Sequence, residues 1–370
     1  MRPLTTIMAL VAAIAAALAL APAAGADSIA FIKGGDVHVA TPDGSRQVQV
    51  TRGGGYSYVS QADDGTMIAV YGERLHKIAR DGRVLADFAT YVSDNQAPAT
   101  GVNSFSGPFD AQISPDGSKV AFEWYNDTYG ASNGCTAASF PPCYTYRSTK
   151  GVGITYSDRM TDPREFGLLT GWSYPQWVDN QTVMRSWAGT PMSADAVFNV
   201  LQPGIDNNTG DLVIEWFRDD EARDLVDMQL SSDRTKVVGV GGDGDELLRL
   251  YRPLEDPVAR EYGSAERCWQ WTDPVGGRFA DPTFSPDGTK LYWAEGDGVH
   301  VADLVGDASA ACPQGGEDRL LIAGATSPDV GPADAPAAAP VDPVKPEKKK
   351  GEGKKKKKKK KGKGKKGGRA

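Results

Sequence analysis

The stretches "DAQISPDGSKVAFEW" (110–124) and "DPTFSPDGTKLYWAE" (281–295) are two copies of one unit. In each, a short strand-like run enters Ser-Pro-Asp-Gly and leaves at once as an alternating apolar run, Lys119-Val120-Ala121-Phe122 in one and Lys290-Leu291-Tyr292-Trp293 in the other. Pro presets φ, the Asp side chain bonds local backbone, and Gly takes the positive φ, so the motif predicts a tight strand-turn-strand unit. Copies separated by more than about 40 residues and built from short strands describe a repeat whose members bury their faces only by stacking on one another.

Working outward, weaker copies of the turn stand at Ala62-Asp63-Asp64-Gly65, Val178-Asp179-Asn180 and Ser231-Ser232-Asp233. The Asp-to-Asp steps are 52, 63, 54 and 54 residues, and the long step holds a cysteine-bearing insertion, 126–150. A second turn type, Asp43-Gly44 and Asp81-Gly82, precedes an outer strand. Residues 28–40 align without a gap on 290–302, so residue 28 opens on the second strand of a unit whose first strand is missing. Gly324-Ala325-Thr326-Ser327-Pro328-Asp329 supplies an inner strand running into the same turn with nothing after it. Second strands are expected at 28–33, 67–71, 119–124, 182–187, 236–240 and 290–294. The fold class read from this pattern is all-β, a six-bladed β-propeller closed by strands from both termini.

These residues resemble the TolB-type, WD-repeat-like β-propeller repeat, with further matches at "QADDGTMIAVYG" (61–72), "QLSSDRTKVVGVGG" (229–242) and "GATSPDVGPA" (324–333). The segment near 172–202 departs from the pattern. The resemblance implies an extracytoplasmic six-bladed propeller serving as a protein-interaction platform. It carries over no catalytic residues, because the shared motif is turn chemistry.

Residues 1–26 combine a basic start at Arg2, an apolar run from Ile7 to Leu20 and a small-residue end at Ala24-Gly25-Ala26, the pattern of a secretory signal cleaved before Asp27, with an uncleaved anchor as the alternative. The propeller is placed at 27–331 and a disordered tail at 332–370, Pro/Ala-rich and then Lys-rich without aromatics. The net charge of −7 conceals an asymmetry: residues 345–370 carry fifteen Lys and one Arg against two Glu, leaving 24 basic and 46 acidic residues in 27–344. Four cysteines in an exported chain fit two disulfides; spacing favours Cys135 with Cys143 and Cys268 with Cys312, and three pairings are open.

The search for chemistry yields little. Gly171-Trp172-Ser173-Tyr174-Pro175 lacks the second Gly of a nucleophile elbow. Of the three histidines, His38 and His300 share one place in two aligned units, as a repeated structural position does, and His76 has no Cys or His beside it. The reading is therefore no catalytic residue, no metal and no cofactor. Gly241 to Glu246 and Asp219-Asp220-Glu221 read as solvated acidic turns. Trp172, Tyr174 and Trp177, with Tyr144 and Tyr146, are the candidate contact residues for a protein or peptide at the mouth of the ring, and the 126–146 loop is the candidate specificity element.

The eight lysines Lys354, Lys355, Lys356, Lys357, Lys358, Lys359, Lys360 and Lys361 repel one another and form no folded face. They fit an anionic cell-wall or membrane surface. With no aromatics to stack on bases, they disfavour specific nucleic-acid recognition. The expected protein is a secreted or extracytoplasmic monomer, envelope-associated through its tail, acting as a non-catalytic binding scaffold. The alternative is a carbohydrate-acting propeller enzyme, which would need clustered carboxylates or histidines converging in the central pocket.

Overall fold

A computed structural model describes residues 27–90, 102–131, 144–160, 169–170, 172–187, 190–195, 214–215, 225–242, 244–254, 265–306 and 312–337. All of them belong to one compact unit, 1–338; residues 339–370, a second unit, lie outside the described residues, as do 1–26.

The strands form antiparallel sheets in chain order. Sheet I begins with β1 (Ser28–Lys33), β2 (Asp36–Ala40) and β3 (Gln47–Gln49), and sheet II is β4 (Tyr56–Gln61), β5 (Met67–Tyr71), β6 (Arg74–Ile78) and β7 (Val84–Ala89). Sheet III is β8 (Val102–Ile113), β9 (Lys119–Ala131), β10 (Tyr144–Tyr156) and β11 (Leu169–Thr170). Sheet IV is β12 (Trp172–Trp177), β13 (Thr182–Trp187), β14 (Thr190–Asp195) and β15 (Ile214–Glu215). Sheet V is β16 (Val226–Leu230), β17 (Val237–Gly241), β18 (Leu247–Pro253) and β19 (Ala265–Thr272). Sheet VI is β20 (Ala280–Phe284), β21 (Lys290–Glu295), β22 (Gly298–Val305), β23 (Gln314–Gly315) and β24 (Arg319–Ala323), the last two both pairing with β22. The chain then returns: β25 (Ala325–Gly331) pairs antiparallel with β1, from Ser28 opposite Gly331 to Lys33 opposite Ala325. Sheets II to VI are each continuous in sequence, and sheet I is assembled from both ends.

The turn chemistry follows the motif. Ser114 Oγ donates to Asp116 Oδ1 at 2.7 Å, the Ser118 amide reaches the same oxygen at 3.0 Å, and the Lys119 amide donates to Ser114 Oγ at 3.0 Å. The set recurs at Ser285, Asp287 and Lys290, and at Ser231, Asp233 and Lys236, where Arg234 stands at φ +60° in place of Gly. Partial burial raises the Asp233 pKa, but bonds from Ser231, Thr235 and Lys236 outweigh it and hold the carboxyl at about 2.

Neighbouring sheets press their faces together around the ring. Phe31 and Tyr292 share a cluster between sheets I and VI, Met67 and Val39 between I and II, and Ile68 and Phe122 between II and III. Ala121 and Val183 meet between III and IV, Met184 and Met228 between IV and V, and Val240 and Trp293 between V and VI. Each large apolar side chain so buried contributes about 1.5–3 kcal/mol, and each does so only with a neighbouring sheet present. This is a β-propeller arrangement. Its only described helix is a 3-10 turn at Val275–Gly277, and among the described residues no helix is long and apolar enough to cross a membrane.

Three expectations change. Ser327-Pro328-Asp329 makes no turn, because with no strand after it the chain stays extended through β25 along β1. The tail does not begin at 332: Ala335 is 7% exposed and packs on Ala30, Val37 and Tyr56, while the Ala333 and Ala335 carbonyls each accept a bond at 3.1 Å, from Arg80 and Arg46. Composition counts only the apolar area a segment brings with it, whereas a small Ala side chain here seals a core already built by others. The 126–146 loop also shrinks, because β9 runs on to Ala131 and β10 starts at Tyr144, their alternating Tyr and Thr residues favouring strand. Cys268 and Cys312 are bonded, with Cα atoms 5.1 Å apart; Cys135 and Cys143 lie outside the described residues.

Candidate functional site: an acidic central channel

The first strand of each sheet, β4, β8, β12, β16, β20 and β25, touches its counterpart in the next sheet, and the cycle closes between β25 and β4. Two residues before the turn, five inner strands carry a polar residue, Ser60, Gln112, Gln176, Gln229 and Thr283, and Asp329, two residues before the end of β25, takes the sixth place. Four of these side chains accept the backbone N–H of the following sheet. Asp329 Oδ2 takes Gln61 N at 2.6 Å, Ser60 Oγ takes Ile113 N at 2.8 Å, Gln229 Oε1 takes Phe284 N at 2.5 Å, and Thr283 Oγ1 takes Val330 N at 3.2 Å. These bonds satisfy inner-strand donors that have no strand on their channel side. Beside them, at the turn end, residues from every sheet line an open cavity of about 520 Å³.

Two residues further back stand Ser327, Tyr58, Asp110, Tyr174, Asp227 and Asp281. Each strand slips register near this level, and all but Tyr58 have positive φ, between +44° and +54°. Non-glycine residues in this region are uncommon and cluster where a fold aims side chains for use. Asp227 Oδ2 accepts the Asp281 amide at 2.5 Å, and Asp281 in turn accepts bonds from the Ser327 amide and hydroxyl.

Burial dominates the electrostatics here and the carboxyls reinforce one another. Asp227 is pushed well above the carboxylate range by burial and then by Asp281 and Asp110; Asp281 is raised to about 7 by burial and Asp110, against the opposing Ser327 bonds. Asp329 also reaches about 7 through burial, opposed by Gln61 and Arg80. On β9, Glu123 is raised to about 7 by burial and by Asp110, with which it shares a hydrogen bond. Glu123 Oε2 accepts the Tyr174 amide at 3.4 Å, while its Oε1 is buried without a partner. The Tyr58 hydroxyl is held neutral first by burial and then by aspartates of four other strands, and Lys150 lies over the Tyr174 ring at 5.3 Å. The channel therefore gathers carboxyls that take up and release protons near neutrality, a setting for an ammonium or guanidinium group.

The contact residues read from sequence fall at different places. Tyr174 is on the carboxyl ring; Trp177 borders the cavity, its Nε1 donating to the Gln112 carbonyl at 2.8 Å. Trp172 opens β12, and Tyr144 and Tyr146 lie on β10 opposite Ala131 and Tyr129, away from the inner strands. The tail lysines 354–361 are outside the described residues. Sequence reading missed the carboxyl ring although a signal was present: Asp110 and Asp281 occupy the first position of both quoted copies, four residues ahead of the Ser.

No family model and no curated protein matches the chain. Solved structures similar to it include TolB from Acinetobacter baumannii, 15% identical over 86% of this chain and 70% of that one with a TM-score of 0.46. The periplasmic gluconolactonase PpgL of Pseudomonas aeruginosa is 11% identical over 82% and 99%, at 0.43. The Cps50 (Swd1) β-propeller domain of Myceliophteria thermophila is 10% identical over 80% and 86%, at 0.38. The fold rests on the sheet pairing described above.

Proposed function

We propose that the chain is an exported, non-catalytic six-bladed β-propeller, counting composite sheet I as a blade, that binds a cationic segment of a protein or peptide in its acidic channel. The observation that carries this is the ring of Asp110, Asp227 and Asp281, aimed inward by positive-φ backbone. A cation entering it neutralises charges that otherwise repel one another. Trp177 lines the cavity at the turn end and Tyr174 stands on the carboxyl ring, each offering apolar contact. The lysine tail attaches the protein to anionic envelope polymers, each Lys near an anionic membrane contributing about 1 kcal/mol at low salt.

The test is calorimetric titration of the full chain with an oligolysine peptide at pH 6 and pH 8. Carboxyls raised to about 7 are largely protonated at the lower pH and ionised at the higher, so binding tightens with pH. Asp110→Asn is expected to weaken it about tenfold at pH 8, roughly 1.4 kcal/mol. An affinity indifferent to both pH and Asp110→Asn would sink the reading.

The paired Asp110 and Glu123 carboxyls favour one rival, a carbohydrate-acting enzyme, since a general acid needs a pKa near the working pH. Turnover of an oligosaccharide lost in Glu123→Gln would favour that rival.

A further inference from the structure

The three histidines stand at one register position in three sheets: His38 opposite Phe31, His76 opposite Ala69 and His300 opposite Trp293. Their surroundings differ. Both ring nitrogens of His76 are partnered, Nδ1 with the Tyr56 hydroxyl at 2.9 Å and Nε2 with Asp87 at 3.3 Å. His38 has Lys33 and Asp36 as its charged neighbours. His300, only 5% exposed, donates from Nε2 to Asp297 Oδ1 at 2.7 Å, which leaves Nδ1 with a lone pair. That Nδ1 is buried without a hydrogen-bond partner and faces Glu295 Oε1 and Asp318 Oδ2, each at 3.7 Å.

We propose that Nδ1 of His300, Glu295 and Asp318 hold a divalent transition cation of the zinc type, with Asp297 fixing the imidazole tautomer. Ligand atoms around a tetrahedral Zn²⁺ at bond lengths of about 2.0–2.2 Å lie roughly 3.3–3.6 Å apart, so the two 3.7 Å separations from Nδ1 need a small inward movement, and the half-exposed Asp318 side chain turns toward Glu295 to complete the set. One imidazole with carboxylates is a donor set that suits zinc, and water or a ligand completes the shell. The supporting contacts are present. Asp297 on Nε2 is the carboxylate-histidine-metal relay, and Glu295 is steadied by Trp293 Nε1 at 2.7 Å and the Val275 amide at 2.6 Å. Asp318, its side chain 48% exposed, leaves a way in from solvent and ties the segment before β24 to β22. The site lies on the second and third strands of sheet VI and is independent of the channel. It departs from the expectation of no metal because Glu295, Asp297 and His300 are near in sequence, whereas Asp318 arrives only through the pairing of β24 with β22.

The experiment is titration of the full chain, non-reduced so that thiols do not compete, with Zn²⁺ by calorimetry and with Co²⁺ by visible absorption. One ion per chain and a tetrahedral nitrogen–oxygen cobalt spectrum are expected. His300→Gln abolishes binding, and Asp297→Asn weakens it about 10–100-fold by releasing the tautomer. Asp318→Asn, at an exposed position that leaves the metal-free fold intact, weakens it at least about tenfold. His38→Gln leaves it unchanged. Absence of saturable binding to the folded wild type, or binding that both Asp318→Asn and His300→Gln leave intact, overturns the proposal.

Discussion

Sheets I and VI carry aligned sequences, 28–40 and 290–302, with a histidine at the same position, and yet they do different work. In sheet VI the hairpin residues before His300 are Glu295, Gly296 and Asp297; in sheet I they are Lys33, Gly34 and Gly35 before His38. The backbone is common to both, but Lys33, Gly35 and Asp36 stand where Glu295, Asp297 and Gly298 do; burial lowers the His38 pKa, Asp36 opposing and Lys33 adding to the effect. The sheets also differ in assembly, VI being continuous as far as its added strands and I depending on β25 from the other end of the chain. A repeat fixes where a side chain stands, and its neighbours fix what it does there.

Breaking the assembly of sheet I has the largest expected effect. A chain ending at Gly324 lacks β25, which leaves β1 unpaired and opens the ring between sheets VI and II. The whole folding free energy, on the order of 5–15 kcal/mol, is then at stake. Circular dichroism against temperature is expected to show no cooperative transition, and a retained one would mean the ring does not need its closure. A smaller effect sharpens the electrostatic half of the comparison. Lys33→Glu replaces a cation that lowers the His38 pKa with an anion that raises it, so an upward shift is expected in an NMR titration. Because the starting pKa lies below 6.5, His38 costs stability as the pH falls from about 6.5 downward, and raising its pKa lessens that loss. The smallest concerns the turn copies: Gly288 sits at φ +66° in sheet VI, and Arg234 bears the same geometry in sheet V at +60°. Arg234→Gly is expected to stabilise by about 0.5 kcal/mol in chemical unfolding, its exposed pairing with Asp179 at 3.9 Å counting for little.

Much of the fold was legible because its signals are local. The Ser-Pro-Asp-Gly turn is made by four neighbours bonding one another, so β5, β13 and β21 begin where their turns place them, and β17 one residue later. The ungapped match of 28–40 on 290–302 exposed the missing first strand, and β25 fills it. Spacing favoured the 268–312 pairing among three open ones, and the structure has that bond. His76 escaped the alignment that joined His38 to His300, since of Tyr71-Gly72-Glu73-Arg74 only Gly72 repeats a residue found in both other copies, Gly34 and Gly296. Ala335 escaped because its burial belongs to the cavity it fills.

The sequence by itself determined the turns, the strand alternation and the need for a closed ring, because these depend on bonds between residues near one another and on faces no sheet can bury alone. Only the tertiary structure decided that Asp110, Asp227 and Asp281 repel across one channel, and that Asp318 comes to face His300. Proton affinity and ligand geometry depend on distances of a few ångströms between strands far apart along the chain, and no spacing in the sequence encodes those distances.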